Sequence, residues 1–141
     1  MWLIVLLLAV CSLIPPQAEA EDTKGLNATL TADKATYAPG EPITLTLRVV
    51  NGTSRPFRLS FPTAQRFDLV VEDGQGREIW RWSAGRLFAQ VFGEETLKPS
   101  GGEFVARATA EGKFPSGTYT VKGAVPALEG TLSATTTLTV R

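Results

Sequence analysis

From Leu26 onward the apolar residues recur at every second position rather than every third or fourth. Ile43, Leu45, Leu47 and Val49 alternate with Thr44, Thr46 and Arg48, and Phe57, Leu59 and Phe61 alternate with Arg58 and Ser60. Phe67, Leu69 and Val71 alternate with Asp68 and Glu72, and Phe104, Ala106 and Ala108 with Val105 and Arg107. In the last run Leu132, Ala134, Thr136, Leu138 and Val140 share a face opposite a ladder of Ser and Thr. Such alternation predicts extended strands that bury one face and wet the other. Turn signals separate the runs: Ala38-Pro39-Gly40, Asn51-Gly52, Asp73-Gly74-Gln75-Gly76, Pro99-Ser100-Gly101-Gly102 and Pro115-Ser116-Gly117. Glycine supplies the positive φ of tight turns and proline presets φ at their first corner. Asp73-Gly74, set between VVE and REIW, predicts a β-hairpin. Short strands between turns roughly 8–12 residues apart predict one all-β domain, an antiparallel sandwich. The segment Ala84 to Val91 is the least regular, with room for one helical turn.

The first 20 residues break this pattern. The block WLIVLLLAVCSLI runs into Pro15-Pro16 and ends on Ala18-Glu19-Ala20, with no Lys or Arg. An apolar core followed by a small-residue A-x-A site predicts an export signal at 1–20, with Ala18 and Ala20 as recognition residues and cleavage after Ala20. A spanning helix needs about 20 apolar residues, which the proline pair prevents. Lipidation at Cys11 is disfavoured because Val10 stands where a small residue is needed. Residues 21–25 are expected to form a flexible leader, residues 26–141 the domain, and the location to be secreted or periplasmic. Membrane association would arise only through an uncleaved or lipidated signal.

Removing that segment changes the chemistry available. All 14 basic residues and 13 of the 14 acidic ones follow Ala20, a formal charge of +1, so no strong field draws the domain to nucleic acid. Cys11 and Met1 leave with the signal and His is absent, which excludes disulfides, thiol nucleophiles, His-based triads and nearly all zinc sites. No S-x-x-K spacing, G-x-x-x-x-G-K-[ST] or G-x-G-x-x-G motif occurs after Ala20. Asp68 and Glu72 lie about 13 Å apart along a strand, wider than the roughly 5–9.5 Å of glycosidase carboxylate pairs. A calcium loop is not spelled out around Asp68, Glu72 and Asp73. The reading is therefore of a protein that is not an enzyme, with no catalytic residue, no metal and no cofactor.

Two stretches resemble known sequences. Tyr37-Ala38-Pro39-Gly40-Glu41-Pro42 followed by ITLTLRVVN resembles the start of bacterial immunoglobulin-like domains. Asn51, Thr53 and Pro56, then Phe61, Pro62, Gln65, Phe67 and Asp68, then Trp80, Trp82 and Ser83, with Phe88, Gln90, Leu97 and Pro99, resemble the BsuPI family. That family is named for an intracellular proteinase inhibitor of bacilli. The resemblance runs from residue 36 to about 125 and implies an immunoglobulin-like sandwich of about seven to nine strands. It also implies inhibition of a serine protease of the subtilisin type. Ser100 departs from the pattern, standing where the family has Gly after the proline.

The candidate partner-binding residues are Trp80, Trp82, Ser83, Gly85, Arg86, Leu87, Phe88 and Gln90. Trp80 and Trp82, two apart, point to the same strand face, as an aromatic platform or as packing groups. Ser83 to Phe88 follows a rigid hairpin arm, the setting in which binding loops occur. Gly85 supplies a bend there, and Arg86 or Leu87 an anchor for a specificity pocket; the competing reading tucks Leu87 and Phe88 into the core. Asp68 is expected to be structural, paired with Arg66 or another Arg. Asn27-Ala28-Thr29 and Asn51-Gly52-Thr53 fit glycosylation sequons but read as turn or strand-edge residues. Tyr119 fits the tyrosine corner of sandwich folds. The expected function is monomeric, non-catalytic proteinase inhibition through surface loops; the alternative is an adhesion or protein-binding module of the same fold.

Overall fold

The computed structural model describes residues 23–141 apart from Lys113. The export signal, Cys11, Ala18 and Ala20 lie outside these residues. Ten strands occur in the described chain: β1 (Leu26–Ala32), β2 (Thr36–Tyr37), β3 (Ile43–Asn51), β4 (Phe57–Phe61), β5 (Asp68–Glu72), β6 (Glu78–Arg81), β7 (Gly93–Leu97), β8 (Glu103–Ala110), β9 (Gly117–Ala127) and β10 (Gly130–Val140). The two-residue β2 carries the number past nine.

Three sheets result, ordered β1-β3-β8, β2-β10-β9-β5-β6 and β4-β7. Pairing is antiparallel except where β2 joins β10, with Val140 opposite Tyr37. The period-two runs become burial patterns. Ile43, Leu45, Leu47 and Val49 of β3 are buried, as are Leu69 and Val71 of β5 and Val121 and Val125 of β9. The first sheet meets the five-stranded one where β9 carries Gly123; an added Cβ there would lie 3.1 Å from Leu47 and 3.2 Å from Leu69. The core is thus the filling of an all-β sandwich, each buried Leu or Phe contributing roughly 1.5–3 kcal/mol.

The predicted hairpin joins β5 to β6, through a loop from Asp73 to Arg77 rather than a two-residue turn. Asp73 Oδ1 accepts the backbone N–H groups of Gln75 and Arg77 at 2.9 and 3.0 Å. The Tyr119 hydroxyl donates to the Pro115 carbonyl, the bond expected of a tyrosine corner. The 51–53 sequon is a turn: Asn51 is fully buried.

Candidate functional site

The connection from β6 to β7 carries the candidate loop, residues 82–92. It leaves the edge of the five-stranded sheet and enters the β4-β7 ribbon, so both its ends are fixed by strands. Trp82 N–H still donates to the Leu69 carbonyl at 2.9 Å, one residue beyond β6. Two reverse turns follow, with Ala84 N–H on the Arg81 carbonyl and Arg86 N–H on the Ser83 carbonyl, at 3.2 and 3.1 Å. The second runs into the segment where a helical turn had room, and Gly85 within it has φ of +74°, the bend expected of it.

Beneath the loop lies the connector from β4 to β5, residues 62–67, and two neighbouring pairs join them. Phe67 stacks on Trp82 with ring centroids 4.0 Å apart. Next in sequence, Asp68 accepts the Ser83 hydroxyl at 2.7 Å and the Ser83 N–H at 3.1 Å. One dipeptide thus grips the other by an aromatic contact and by a carboxylate. Asp68 also accepts from Arg81 at 2.7 Å, and Arg81 pairs in turn with Glu78. The Arg partner of Asp68 is thus Arg81, while Arg66 pairs with Glu95 at 3.1 Å and lies over the Phe61 ring at 4.6 Å. The acidic neighbours are likewise engaged, Glu72 by Lys122 and Asp73 by Arg77. Backbone N–H groups of Arg77 and Gln75, then the Arg77 guanidinium, hold the Asp73 carboxyl below its ordinary pKa.

Further along, the Arg86 guanidinium lies 4.4 Å from the Trp82 ring centre, and its Nε donates to the Trp82 carbonyl at 2.8 Å. Phe88 packs against the same indole at 5.7 Å. Ala89 is tied down from below, its carbonyl accepting the Ala64 N–H at 2.9 Å. Leu87, between these attachments, is fully exposed, and Val91 and Phe92 are 63% and 58% exposed.

Trp82, Ser83, Arg86 and Phe88 thus come together around one indole, whereas Leu87 and Gln90 project outward. Neither residue of the competing reading enters the core: Leu87 is bare and Phe88 rests half-buried on Trp82. Trp80 belongs elsewhere. It sits opposite Val71, packs against the core and lines a separate cleft of about 550 Å³ with Asp73, Arg77, Phe114, Pro115 and Tyr119. Sequence reasoning missed the Phe67 and Ala64 supports and the exposure of Val91 and Phe92. The last had a signal: Leu87, Phe88, Ala89, Val91 and Phe92 crowd apolar residues together with no strand period.

Phe67, Asp68, Trp82, Ser83 and Phe88 of these supports are also residues of the pattern that resembles the BsuPI family. A family model described as BsuPI, intracellular proteinase inhibitor, matches residues 30–130. The chain belongs to the BsuPI family. In BsuPI terms the F-D and W-S elements are the two halves of the support just described, and the N-x-T and L-x-P elements are joined by Asn51. Its amide nitrogen faces the carbonyls of Arg55, Leu97 and Lys98, while its oxygen accepts from Thr53. No curated protein matches the chain. Among solved structures it is similar to the C-terminal domain of Wzt, with TM-score 0.52 and 12% identity over 83% of this chain and 74% of that one. It is also similar to a Paenibacillus cycloisomaltooligosaccharide glucanotransferase, with TM-score 0.51 and 19% identity over 81% of this chain and 14% of that one. Spo0M, a sporulation control protein of Bacillus subtilis, matches with TM-score 0.50 and 17% identity over 83% of this chain and 49% of that one. At these identities the likeness concerns the fold.

Proposed function

We propose that this BsuPI protein inhibits a subtilisin-type serine protease by presenting residues 82–92 to the active site. It acts as an exported monomer with no chemistry of its own. The observation that supports this reading is the bare side chain of Leu87 on a loop fastened to the body on both sides. A protease cleft takes an extended segment, and one held in shape beforehand loses little entropy on binding. Export follows from the signal at 1–20 and would place the target outside the cytoplasm, unlike that of the inhibitor for which the family is named.

The test is a stoichiometric titration of the purified protein against subtilisin-type and trypsin-type proteases with a peptide substrate. Saturable inhibition near one-to-one supports the reading. A folded, uncleaved protein that inhibits neither class overturns it in favour of the binding module, for which the cleft beside Trp80 offers a surface. Expression of the full chain in a bacterial host tests export: a product beginning at Glu21 outside the cytoplasm is expected, and retention of residues 1–20 in the cytoplasm refutes it.

A further inference from the structure

We propose that the peptide bond presented to the protease is Leu87–Phe88, with the Leu87 side chain filling an apolar specificity pocket. This rests on the reading that residues 82–92 are the inhibitory segment. It then chooses between the two anchors that the sequence leaves open.

Arg86 is not available as the anchor in this conformation. Its guanidinium lies over the Trp82 indole and its Nε donates to the Trp82 carbonyl. Entry into a protease pocket would break both contacts, and a cation over an indole is attracted by the ring even when exposed. Leu87 gives up nothing, because its whole side chain is already in solvent. Burying it in an apolar pocket removes its whole apolar surface from water, which favours binding. The partner implied is a protease whose specificity pocket accepts an aliphatic side chain, not one built around a buried carboxylate.

The bond after Leu87 is also held on each side, by Trp82 on both and by Ala64 on the carboxyl side alone. On the amino side Arg86 N–H is bonded to the Ser83 carbonyl, and its side chain to the Trp82 carbonyl. On the carboxyl side Phe88 packs on Trp82, and Ala89 is bonded to Ala64. When the protease serine Oγ adds to the Leu87 carbonyl carbon, the Leu87–Phe88 C–N bond breaks. The serine proton passes through the protease base to the Phe88 nitrogen, leaving an acyl ester on Leu87. The new amine stays beside that ester, where effective concentrations favour its return over attack by water. Re-formation of the bond frees the serine, and only the slower attack by water leaves a Leu87 carboxylate. Arg86 then serves as a positioning residue that keeps the acyl half in place.

The experiment measures inhibition constants of the full-length exported protein and its variants against chymotrypsin-type, subtilisin-type and trypsin-type proteases, with mass spectrometry of the inhibitor. Leu87→Ala is expected to weaken inhibition of the first two by at least ~10-fold. Leu87→Arg is expected to move inhibition toward the trypsin type. Arg86→Ala should keep the same ranking of proteases but speed permanent cleavage. Clipped wild-type protein should be cut between Leu87 and Phe88 and gain one water, its two pieces associated under native conditions. Trypsin-type preference in the wild type, lost in Arg86→Ala, would overturn the proposal, as would a cut elsewhere. If both Leu87 variants are silent but Val91→Asp or Phe92→Asp weakens inhibition, the segment is right and the bond is wrong. If all are silent while the protein still inhibits, the segment itself is wrong. Leu87 touches no core, so its variants fold.

Discussion

The Asp68 carboxylate holds the Ser83 hydroxyl at 2.7 Å and the Ser83 backbone N–H at 3.1 Å, across 15 residues of chain. This contact fixes where the strand β6 ends and the candidate loop begins. Asp68→Ala would leave the Ser83 N–H and hydroxyl without their acceptor and take from Arg81 one of its two carboxylates, Glu78 remaining. Bonds to charged groups contribute about 1.5–3 kcal/mol, so a loss of roughly that size is expected in chemical denaturation. Ser83→Ala should cost less, about 1 kcal/mol, and the two losses should not add. Additive losses would show that the two side chains act independently.

Asn51 is the only buried polar side chain among the described residues, and it joins the turn at 51–55 to the end of β7. Asn51→Ala would take the acceptor from the Thr53 N–H and a donor from the buried Leu97 carbonyl, while the Arg55 and Lys98 carbonyls keep the Thr53 hydroxyl and the Gly102 N–H. A loss of about 1–3 kcal/mol is expected, the cost of leaving a buried group unsatisfied. Thermal unfolding measures it. The same burial means that Asn51 carries no glycan in a host that glycosylates its sequon, and intact mass would reveal one.

Ser100 has φ of +58°, the left-handed region, where the family pattern has glycine. A side chain there costs about 1–2 kcal/mol relative to glycine, while its N–H still donates to the Thr53 carbonyl at 2.8 Å. Ser100→Gly is therefore expected to stabilise the protein by up to about 1 kcal/mol, the flexibility added to the unfolded chain offsetting part of the gain. Two residues on, Gly102 allows no side chain: a Cβ would lie 2.3 Å from the Lys98 nitrogen and oxygen. Gly102→Ala should unfold more readily than the parent, the opposite sign in the same turn. Denaturant midpoints of both variants check the pair.

Burial, reinforced by the bond to Asp33, pushes the Tyr37 hydroxyl up to about 12, and burial also raises Tyr119. These are the only two tyrosines. An unfolded tyrosine ionises near pH 10, so the fold favours the neutral form. That stability is fully present below about pH 10 and is lost as pH rises from there through about 12. An absorbance titration should find less phenolate at pH 10 than two free tyrosines would give, and a rise that accompanies unfolding. Ordinary ionisation near pH 10 with the fold intact would contradict it.

The fold was legible because alternation is local. Ile43 to Val49 states its buried face in its own residue types, and Leu69, Val71 and the Leu132-to-Val140 run do the same. Turn residues then left a sandwich as the arrangement that buries those faces. The chemistry the domain lacks was equally local, since no arrangement supplies an absent His or Cys. The site was legible only in outline. Sequence singled out Ser83 to Phe88, but left Arg86 and Leu87 equal and grouped Trp80 with Trp82. Which side chain is free depends on what lies beneath it, and here that is a connector fifteen or more residues earlier. Phe67 occupies one face of Trp82, Asp68 takes Ser83, Ala64 ties down Ala89, and Arg86 is drawn back onto the indole. Leu87 is left bare. The sequence determined an all-β, His-free and Cys-free domain after Ala20. Tertiary structure decided which loop residue faces outward, because exposure is a property of neighbours that only folding brings together.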